Sequence, residues 1–287
     1  MRDDGLSVGK ALAIFGLVLI MLWTLFPLYW IFLMSIKTPV DVIAYPPKFV
    51  FDPTLENYSV VLFGKAWLGK YETVKTDFPR YFLNSIIVCS GAVALSMLVG
   101  VPAAYSLARF DFRGKENFAF TLLSFRFAPG LIVIIPLYII FRKLGFYGTY
   151  HGMIIAYQVI TLPFAVWLMR GFFEDIPQEL EQAARIDGYT WWGVFRKVNM
   201  PLVAPGIAAT AILSFIFAWN DFLFGHVLSS DVTRPVTPSL MGFISYEQVL
   251  WGQMAAAAII TLLPSVVLAF FIQRYLVRGL TFGAVKG

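Results

Sequence analysis

EDIPQELEQAARIDGYTWWGVFRKVNMPLVAPG, from Glu174 to Gly206, is a polar island between two apolar blocks. It carries charged residues, short helical patterns and helix-stopping residues, whereas most of the remaining chain is strongly hydrophobic. The full chain of 287 residues is 59% hydrophobic and only 14% charged, and its mean hydropathy is +0.75. A soluble domain would carry roughly 25% charged residues. Lipid is therefore the natural solvent for most of this chain, and the island is where it meets water.

Six apolar runs are long enough to cross a bilayer, which takes about 20 mostly apolar residues. Backbone polar groups in hydrocarbon must be paired within their own segment, so each run is predicted to be a helix. The first run has 26 uncharged residues, whereas a signal-peptide core has about 7–15, so we expect a span or an uncleaved anchor. The expected fold is all-α: a polytopic membrane protein in which residues 1–287 form a single transmembrane domain. The predicted spans are 11–36, 82–108, 118–141, 152–169, 202–228 and 248–273.

The distribution of lysine and arginine predicts the orientation of these spans. An even number of spans places both termini on the same side of the membrane. With cytoplasmic termini, the inner segments hold 12 basic residues and the outer segments hold 9, and acids nearly balance the long outer loop 37–81. The positive-inside rule then favours cytoplasmic termini and a cytoplasmic loop 174–201 between spans four and five. The net charge of +5 is scattered between apolar runs, which does not indicate nucleic-acid binding.

The island is predicted to contain two short helices. Asp175, followed by a proline in the first turn, is a suitable helix start. Good helix formers fill Gln178–Asp187, and Gly188 is a helix stop. Thr190 can then cap a second helix over Trp191–Val198.

One face of the first predicted helix is suited to docking. Leu180, Ala183, Ala184 and Asp187 share that face at i, i+3, i+4, i+7 spacing. Because the face has one large apolar side chain, it is too small to bury strongly in a membrane and suits a groove on a protein. The alternative is an amphipathic hairpin resting on the bilayer, anchored by Trp191 and its neighbouring tryptophan. The residues alone leave both interpretations open.

The spacing of the island also resembles a known motif. The letters QAA, three residues, G, nine residues and V-x-M-P, over 182–201, resemble the EAA loop of importer-type ABC transporter permeases, whose pattern is EAA, three residues, G, nine residues, I-x-L-P. The C-terminal RYLVRGLTFGAVKG, 274–287, is similar to the tails of carbohydrate-uptake permeases of the maltose-transporter type. The resemblance implies that the loop couples to an ATPase. The residues carried over for that role are Glu181, Gln182, Ala183, Ala184, Asp187, Gly188 and Pro201.

The resemblance implies partners and a location for this chain. A second homologous permease subunit would complete the pore, a dimer of ATP-binding subunits would sit beneath it, and an extracytoplasmic solute-binding protein would deliver the cargo. Membrane lipid would surround a multi-pass protein of a bacterial-type inner membrane, and no nucleic acid is expected. ATP and magnesium are expected on the partner ATPase, with no cofactor, metal or catalytic residue on this chain. The P-loop-like letters GKAWLGKY, 64–71, lack the final Ser or Thr, so ATP hydrolysis is expected on a separate chain, and the resemblance implies that this chain is a transport subunit and not an enzyme.

One position departs from the family pattern. Gln182 stands where the family usually has a glutamate, which is expected to meet basic groups on the ATPase. A neutral amide still hydrogen-bonds but loses the charge-assisted part of that contact. Either Glu181 substitutes from a neighbouring angle, or the contact is weaker.

Polar residues inside the spans are candidates for a substrate pathway, because charges in a membrane are costly and tend to face cavities. Aromatic and polar groups side by side are the usual chemistry of sugar binding. Each candidate also has a structural alternative, as a helix-helix hydrogen bond or an internal charge partner. The candidates are Arg126, Tyr157, Gln158, Trp219, Asn220 and Asp221.

The leading interpretation is therefore the permease subunit of an ATP-driven, binding-protein-dependent importer of a sugar or sugar derivative. A secondary, ion-coupled transporter is the alternative, but it would want titratable pairs within the spans, where Arg126 and Asp221 are the only fully embedded charges. A membrane enzyme ranks last, because the single Cys89 and the absence of HExxH or CxxC patterns offer no catalytic set. Neutral sugars, polyols and phosphorylated or sulfonated sugars all remain open as substrates.

Overall fold

The computed structural model describes residues 8–64, 77–244 and 249–283. This part of the chain is helical, and its β-structure is limited to a bridge between Ile244 and Val249. The first eight helices are α1 (Val8–Ser35), α2 (Pro39–Val42), α3 (Glu56–Phe63), α4 (Phe78–Arg109), α5 (Lys115–Ser124), α6 (Gly130–Leu144), α7 (Tyr150–Ala156) and α8 (Gln158–Glu174). The others are α9 (Gln178–Ile186), α10 (Trp191–Val194), α11 (Met200–Leu202), α12 (Ala204–Trp219), α13 (Leu223–Leu228), α14 (Val236–Ser239) and α15 (Trp251–Gly283).

Three helices are long and apolar enough to cross a membrane unbroken. They cover Gly9–Ser35, Phe78–Arg109 and Trp251–Gln273. Helix formation in the first, second and sixth apolar runs is thus confirmed. The P-loop-like letters 65–71 and the end of the tail, 284–287, lie outside the described residues.

The third apolar run is not one unbroken helix, and whether its two limbs cross the membrane as one span over 118–141 stays a prediction. A single 3₁₀ turn, Phe125–Phe127, ends the first limb, and α6 starts at Gly130 at an angle of 96°. Pro129 explains the break, because it has no N–H to donate and forces the preceding Ala128 into an extended conformation. The fourth run is likewise bent by 45° between α7 and α8.

The fifth run is also interrupted and does not form one helix over 202–228, whereas its crossing of the membrane as one span stays a prediction. Helix α12 ends at Trp219, and α13 begins at Leu223. Asp221 causes the restart, because its Oδ2 accepts hydrogen bonds from the backbone N–H groups of Phe224 at 2.9 Å and Gly225 at 3.3 Å. Six spans result if each of three bent helix pairs crosses once. The span count, the orientation and the single-domain organisation stay predictions.

Internal contacts divide the chain into two compact units, residues 1–79 with 240–262 and residues 80–239 with 263–287. In the first unit, the loop after α1 folds onto the end of that helix. The Asn57 amide donates to the carbonyls of Ser35 and Lys37 at 2.9 Å each. The Lys37 side chain is buried, and its ammonium donates to a backbone carbonyl at 2.6 Å. The described part of the loop 37–81 is thus an ordered structure.

The second unit has an apolar core formed by α4, α8 and the residues after α8. Its buried members are Val101, Ala104, Tyr105, Leu107, Val166, Met169, Phe173, Ile176, Phe195 and Val203. Helices α8 and α12 approach closely where Gly206 faces the ring of Phe172, since a Cβ at Gly206 would lie 2.6 Å from that ring. The polar island contributes Ile176, Phe195 and Val203 to this core.

Candidate functional site

The polar island forms the two helical segments that the sequence predicts. Helix α9 ends at Ile186, and Gly188 takes the left-handed φ of +88° that turns the chain. The Thr190 hydroxyl accepts from the Gly193 N–H at 3.1 Å and caps α10. Asp175 is not the cap of α9, because its N–H donates to the Gly171 carbonyl at the end of α8.

The second segment is less regular than the predicted helix over 191–198. Helix α10 passes into a π-helical turn, Phe195–Asn199, before α11. Pro201 contributes to this irregularity, because it lacks the N–H that an α-helix would direct at the carbonyl of Lys197. Neither the nitrogen nor the oxygen of the buried Asn199 amide makes a close hydrogen bond among the described residues, although the side chain interacts with the Tyr105 hydroxyl. Such turns occur frequently at functional sites.

The residues of the QAA motif point in two directions. Gln182 and Ala183 are exposed, whereas Ala184 is buried against the core. Asp187, Gly188 and Pro201 are exposed as well. The docking face predicted from spacing is therefore divided, because Ala184 belongs to the inner side of α9 and Ala183 to the outer side.

Glu181 lies on the inner side of α9 and forms a buried ion pair with Arg109. Its Oε1 accepts from Arg109 Nε at 2.5 Å, and only 4–5% of either side chain is exposed. Arg109 Nη2 also donates to the carbonyl of Ile176 at 2.8 Å. Glu181 is thus committed inside the unit, which argues against its replacing Gln182 at an outer surface.

Aromatic side chains pack beside this ion pair, which on another side borders a pocket of about 320 Å³. The Tyr105 ring lies 5.3 Å from that of Phe173 and 5.0 Å from that of Phe195. Phe110, directly after α4, packs edge-on against Trp191 at 5.2 Å. These rings lower the local dielectric around the charges, which strengthens their attraction and raises the cost of separating them.

Three of the substrate-pathway candidates line one cavity of about 270 Å³ in the second unit: Arg126, Asn220 and Asp221. The cavity lies at the break between α5 and α6. The Arg126 guanidinium sits 4.4 Å from the centre of the Phe217 ring, and no ion pair joins Arg126 to Asp221 in the described structure. In secondary transporters, a broken helix with polar groups around a cavity is the usual setting of a solute site.

The other three candidates lie outside that cavity. Trp219 is buried, with its ring between those of Phe82 and Phe215. Tyr157 is buried and hydrogen-bonds the side chain of Asp221. The Gln158 amide donates to the carbonyls of Ala92 and Ile154 and accepts from the Ser96 hydroxyl. Their contacts fit the structural alternative, helix-helix hydrogen bonding and packing.

Arg109 is the site residue that sequence reasoning missed. It ends an apolar run and looks like an ordinary boundary charge, and its partner lies 72 positions away. No local pattern reports such a pair. Among the residues described, no group of three or more His, Cys, Asp or Glu could hold a metal.

Comparison with known proteins assigns the chain to a family. The profile of the family described as "Binding-protein-dependent transport system inner membrane component" matches residues 96–282. A probable ABC transporter permease protein, y4oR of Sinorhizobium fredii, is 38% identical over 91% of this chain and 90% of its own length. The trehalose transport system permease protein SugB of Mycobacterium tuberculosis is 35% identical over 92% and 93%. The trehalose/maltose permease protein MalG of Thermococcus litoralis is 32% identical over the full length of both chains.

The fold agrees with this assignment. A bacterial ABC transporter involved in the import of the acidic polysaccharide alginate contains a chain that superposes with a TM-score of 0.77, at 23% identity, covering 96% of this chain and 99% of that one. The inward-facing MetNI methionine ABC transporter gives a TM-score of 0.60 over 70% of this chain. The chain therefore belongs to the family of inner-membrane components of binding-protein-dependent transport systems, and it is an ABC importer permease subunit.

Proposed function

We propose that this permease subunit imports a sugar or sugar derivative and is driven by a separate ATP-binding subunit that docks on α9 and the turn after it. The observation that carries the coupling part is the two-sided character of α9. Its outer side presents Gln182, Ala183 and the Gly188 turn, while its inner side is fixed to α4 through Glu181 and Arg109. A helix that is exposed on one side and anchored on the other can be displaced by a partner and can transmit that displacement to the helix that anchors it.

Names of relatives support the sugar part of the proposal. The relatives include permeases named for trehalose, for trehalose and maltose, and for diacetylchitobiose. A sulfoquinovosyl glycerol permease of Agrobacterium fabrum is 31% identical over 97% of this chain. Both neutral and anionic carbohydrates thus remain within the proposal.

The same comparisons support part of the proposed set of partners. An alginate transporter with a similar chain was solved with an alginate-bound periplasmic protein, at a TM-score of 0.61. We propose a second homologous permease, a dimer of ATP-binding subunits that carries ATP and magnesium, and an extracytoplasmic solute-binding protein. We also propose six spans with both termini in the cytoplasm, which would put the island on the ATPase side; the basic residues of the island support this orientation.

The cavity lined by Arg126, Asn220 and Asp221 is the proposed solute pathway in this subunit. The guanidinium can donate to hydroxyl or anionic oxygens, and the Asn220 amide and Asp221 carboxylate can accept from hydroxyls. Outward and inward access would alternate as ATP binding changes the contacts of the loop, because a ligand shifts a two-state equilibrium only through differential contacts.

Co-purification and uptake test the proposal. Solubilised membranes should yield this chain with a second permease and an ATPase, and proteoliposomes should take up solute only with ATP and the binding protein. Ala183→Glu and Gly188→Asp change the outer side of the loop and should uncouple ATP hydrolysis from uptake, whereas Ala183→Ser should not. Activity of the chain as a lone subunit, or normal uptake by both charged variants, would refute a docked loop.

A further inference from the structure

The Glu181–Arg109 ion pair joins two parts of the fold that the chain keeps far apart. Arg109 is the last residue of α4, the 32-residue helix that is long enough to span a membrane. Glu181 is the fourth residue of α9, and it is buried, whereas the next residue, Gln182, is exposed. The pair therefore connects the proposed docking helix with a helix that crosses the membrane.

The guanidinium holds two groups at once. Nε donates to Glu181 at 2.5 Å, and Nη2 donates to the Ile176 carbonyl in the link between α8 and α9 at 2.8 Å. Tyr105, one helical turn before Arg109, turns its hydroxyl toward the other carboxylate oxygen at 3.5 Å. The end of α4 is thereby fastened to both the start of α9 and its connection to α8.

This is the only ion pair that joins α9 to another element within the described residues. Other charges on α9 face outward; Arg185 caps its own turn by donating to the Tyr189 carbonyl at 2.6 Å. A buried ion pair resists separation, since pulling it apart leaves an uncompensated charge in a low-dielectric core. The two helices are therefore constrained to move together at this point.

We propose that Arg109 and Glu181 are positioning residues that make α4 follow α9 when ATP moves the docked loop. The proposal rests on the proposed function, because it assumes an ATPase on the outer side of α9. It assigns Glu181 to transmission inside the permease and not to contact with the ATPase. It also gives a reason for a carboxylate directly before an amide in the motif, with the charge on the inner side.

Spin-label distances test this without knowledge of the solute. Leu98 on α4 and Ile139 on α6 are exposed and lie away from the loop and the cavity, so each is replaced by cysteine and labelled, with the buried Cys89 changed to alanine. The full complex is measured without nucleotide and after trapping with MgATP and vanadate. Trapping should shift the distance distribution in the otherwise unchanged complex.

Glu181→Gln and Arg109→Gln should each lower the shifted population about tenfold, the change that about 1.4 kcal/mol of lost coupling produces. The double variant should lose no more than the more severe single variant, because both act through one contact. Arg109→Lys keeps the positive charge but not the two simultaneous hydrogen bonds of the guanidinium, so an intermediate shift is expected. The control is Glu116→Gln, which removes an exposed ion pair to Arg170 in the same unit and should leave the shift unchanged.

A full shift in the assembled pair variants would overturn the inference, even if their thermal stability falls. A structural role would lower assembly or melting temperature without changing the shift per trapped complex. If neither glutamine variant assembles, the Arg109→Lys variant provides the test, and an unchanged shift in that variant would also overturn the inference. A complex that binds no ATPase, or shows no shift before any loop mutation, instead refutes the proposed function from which this inference starts.

Discussion

Replacement of Gly188 by alanine should loosen the turn between α9 and α10 through backbone strain alone. Gly188 has a φ of +88°, and a Cβ built there meets no atom within 4 Å. The turn is closed by two hydrogen bonds of 3.1 Å, from the Gly188 N–H to the Arg185 carbonyl and from the Tyr189 N–H to the Ala184 carbonyl. The added methyl group therefore costs nothing in contacts, and its effect comes from the left-handed backbone.

The size of the effect follows from that backbone. An L-residue in the left-handed region costs roughly 1–2 kcal/mol, which raises the population of opened turns about 5–30-fold. Gly188→Asn should cost less, because asparagine tolerates this conformation. Gly171, in α8, is the matched control, since it has an ordinary helical φ and equally open surroundings. Alanine there should stabilise its helix by about 1 kcal/mol.

Limited proteolysis at Arg185 measures the opening directly, because this exposed residue adjoins the turn. When reclosing is faster than cleavage, the trypsin cleavage rate follows the population of the open form. Gly188→Ala should raise the rate about 5–30-fold, Gly188→Asn less, and Gly171→Ala not at all. Equal rates for Gly188→Ala and the unaltered protein would refute the assignment of strain to this turn.

Three further changes test packing and polar satisfaction in the second unit. Gly206→Ala should lower the melting temperature, because overpacking against the Phe172 ring costs typically 1–3 kcal/mol and exceeds the gain of about 1 kcal/mol in helix propensity; Phe172→Leu should restore it. Asn199→Leu should raise the melting temperature, because burying an unsatisfied amide costs about 1–3 kcal/mol; an unchanged or lower value would show that the amide is satisfied. Asn84→Leu should speed hydrogen exchange in residues 230–236, because the Asn84 amide donates to the Val232 and Arg234 carbonyls at 2.9 and 3.0 Å; unchanged exchange would count against that anchor.

Hydrophobicity predicts which segments are helical here, but it does not predict where helices break. The runs 118–141 and 202–228 are each long and apolar enough to be predicted as one span, although the first contains Arg126 and the second contains Asp221. Their breaks depend on single groups: Pro129 removes a donor, and Asp221 offers a carboxylate that caps a new helix. A proline within a helix can also be tolerated, as Pro102 is within α4. Whether a residue breaks a span therefore depends on its tertiary neighbours.

The candidate site, too, is only partly predictable from local sequence. The loop helices and the Gly188 turn follow from local sequence, because caps and stops act within a few residues. The sequence does not distinguish the substrate candidates that line the cavity from those that do not. Asn220 and Asp221 line the cavity, while the adjacent Trp219 is buried against Phe82. Successive residues at a helix end point in different directions, so adjacency in sequence gives no guarantee of a shared surface.

The same geometry explains why a glutamine at position 182 is compatible with a working loop. Consecutive residues of an α-helix point about 100° apart. Glu181 can therefore be buried while Gln182 is exposed. Burial fixes the residue at 181, because Arg109 needs a carboxylate there. In the proposed complex, the outer side of α9 contacts the ATPase. The amide of Gln182 can form neutral hydrogen bonds there, and the methyl group of Ala183 and the exposed Ile186 can provide shape complementarity. In the proposed complex, then, the charge of Glu181 acts within the permease, and the ATPase contacts the outer side of α9, where the neutral Gln182 lies among the exposed charges of Glu179 and Arg185.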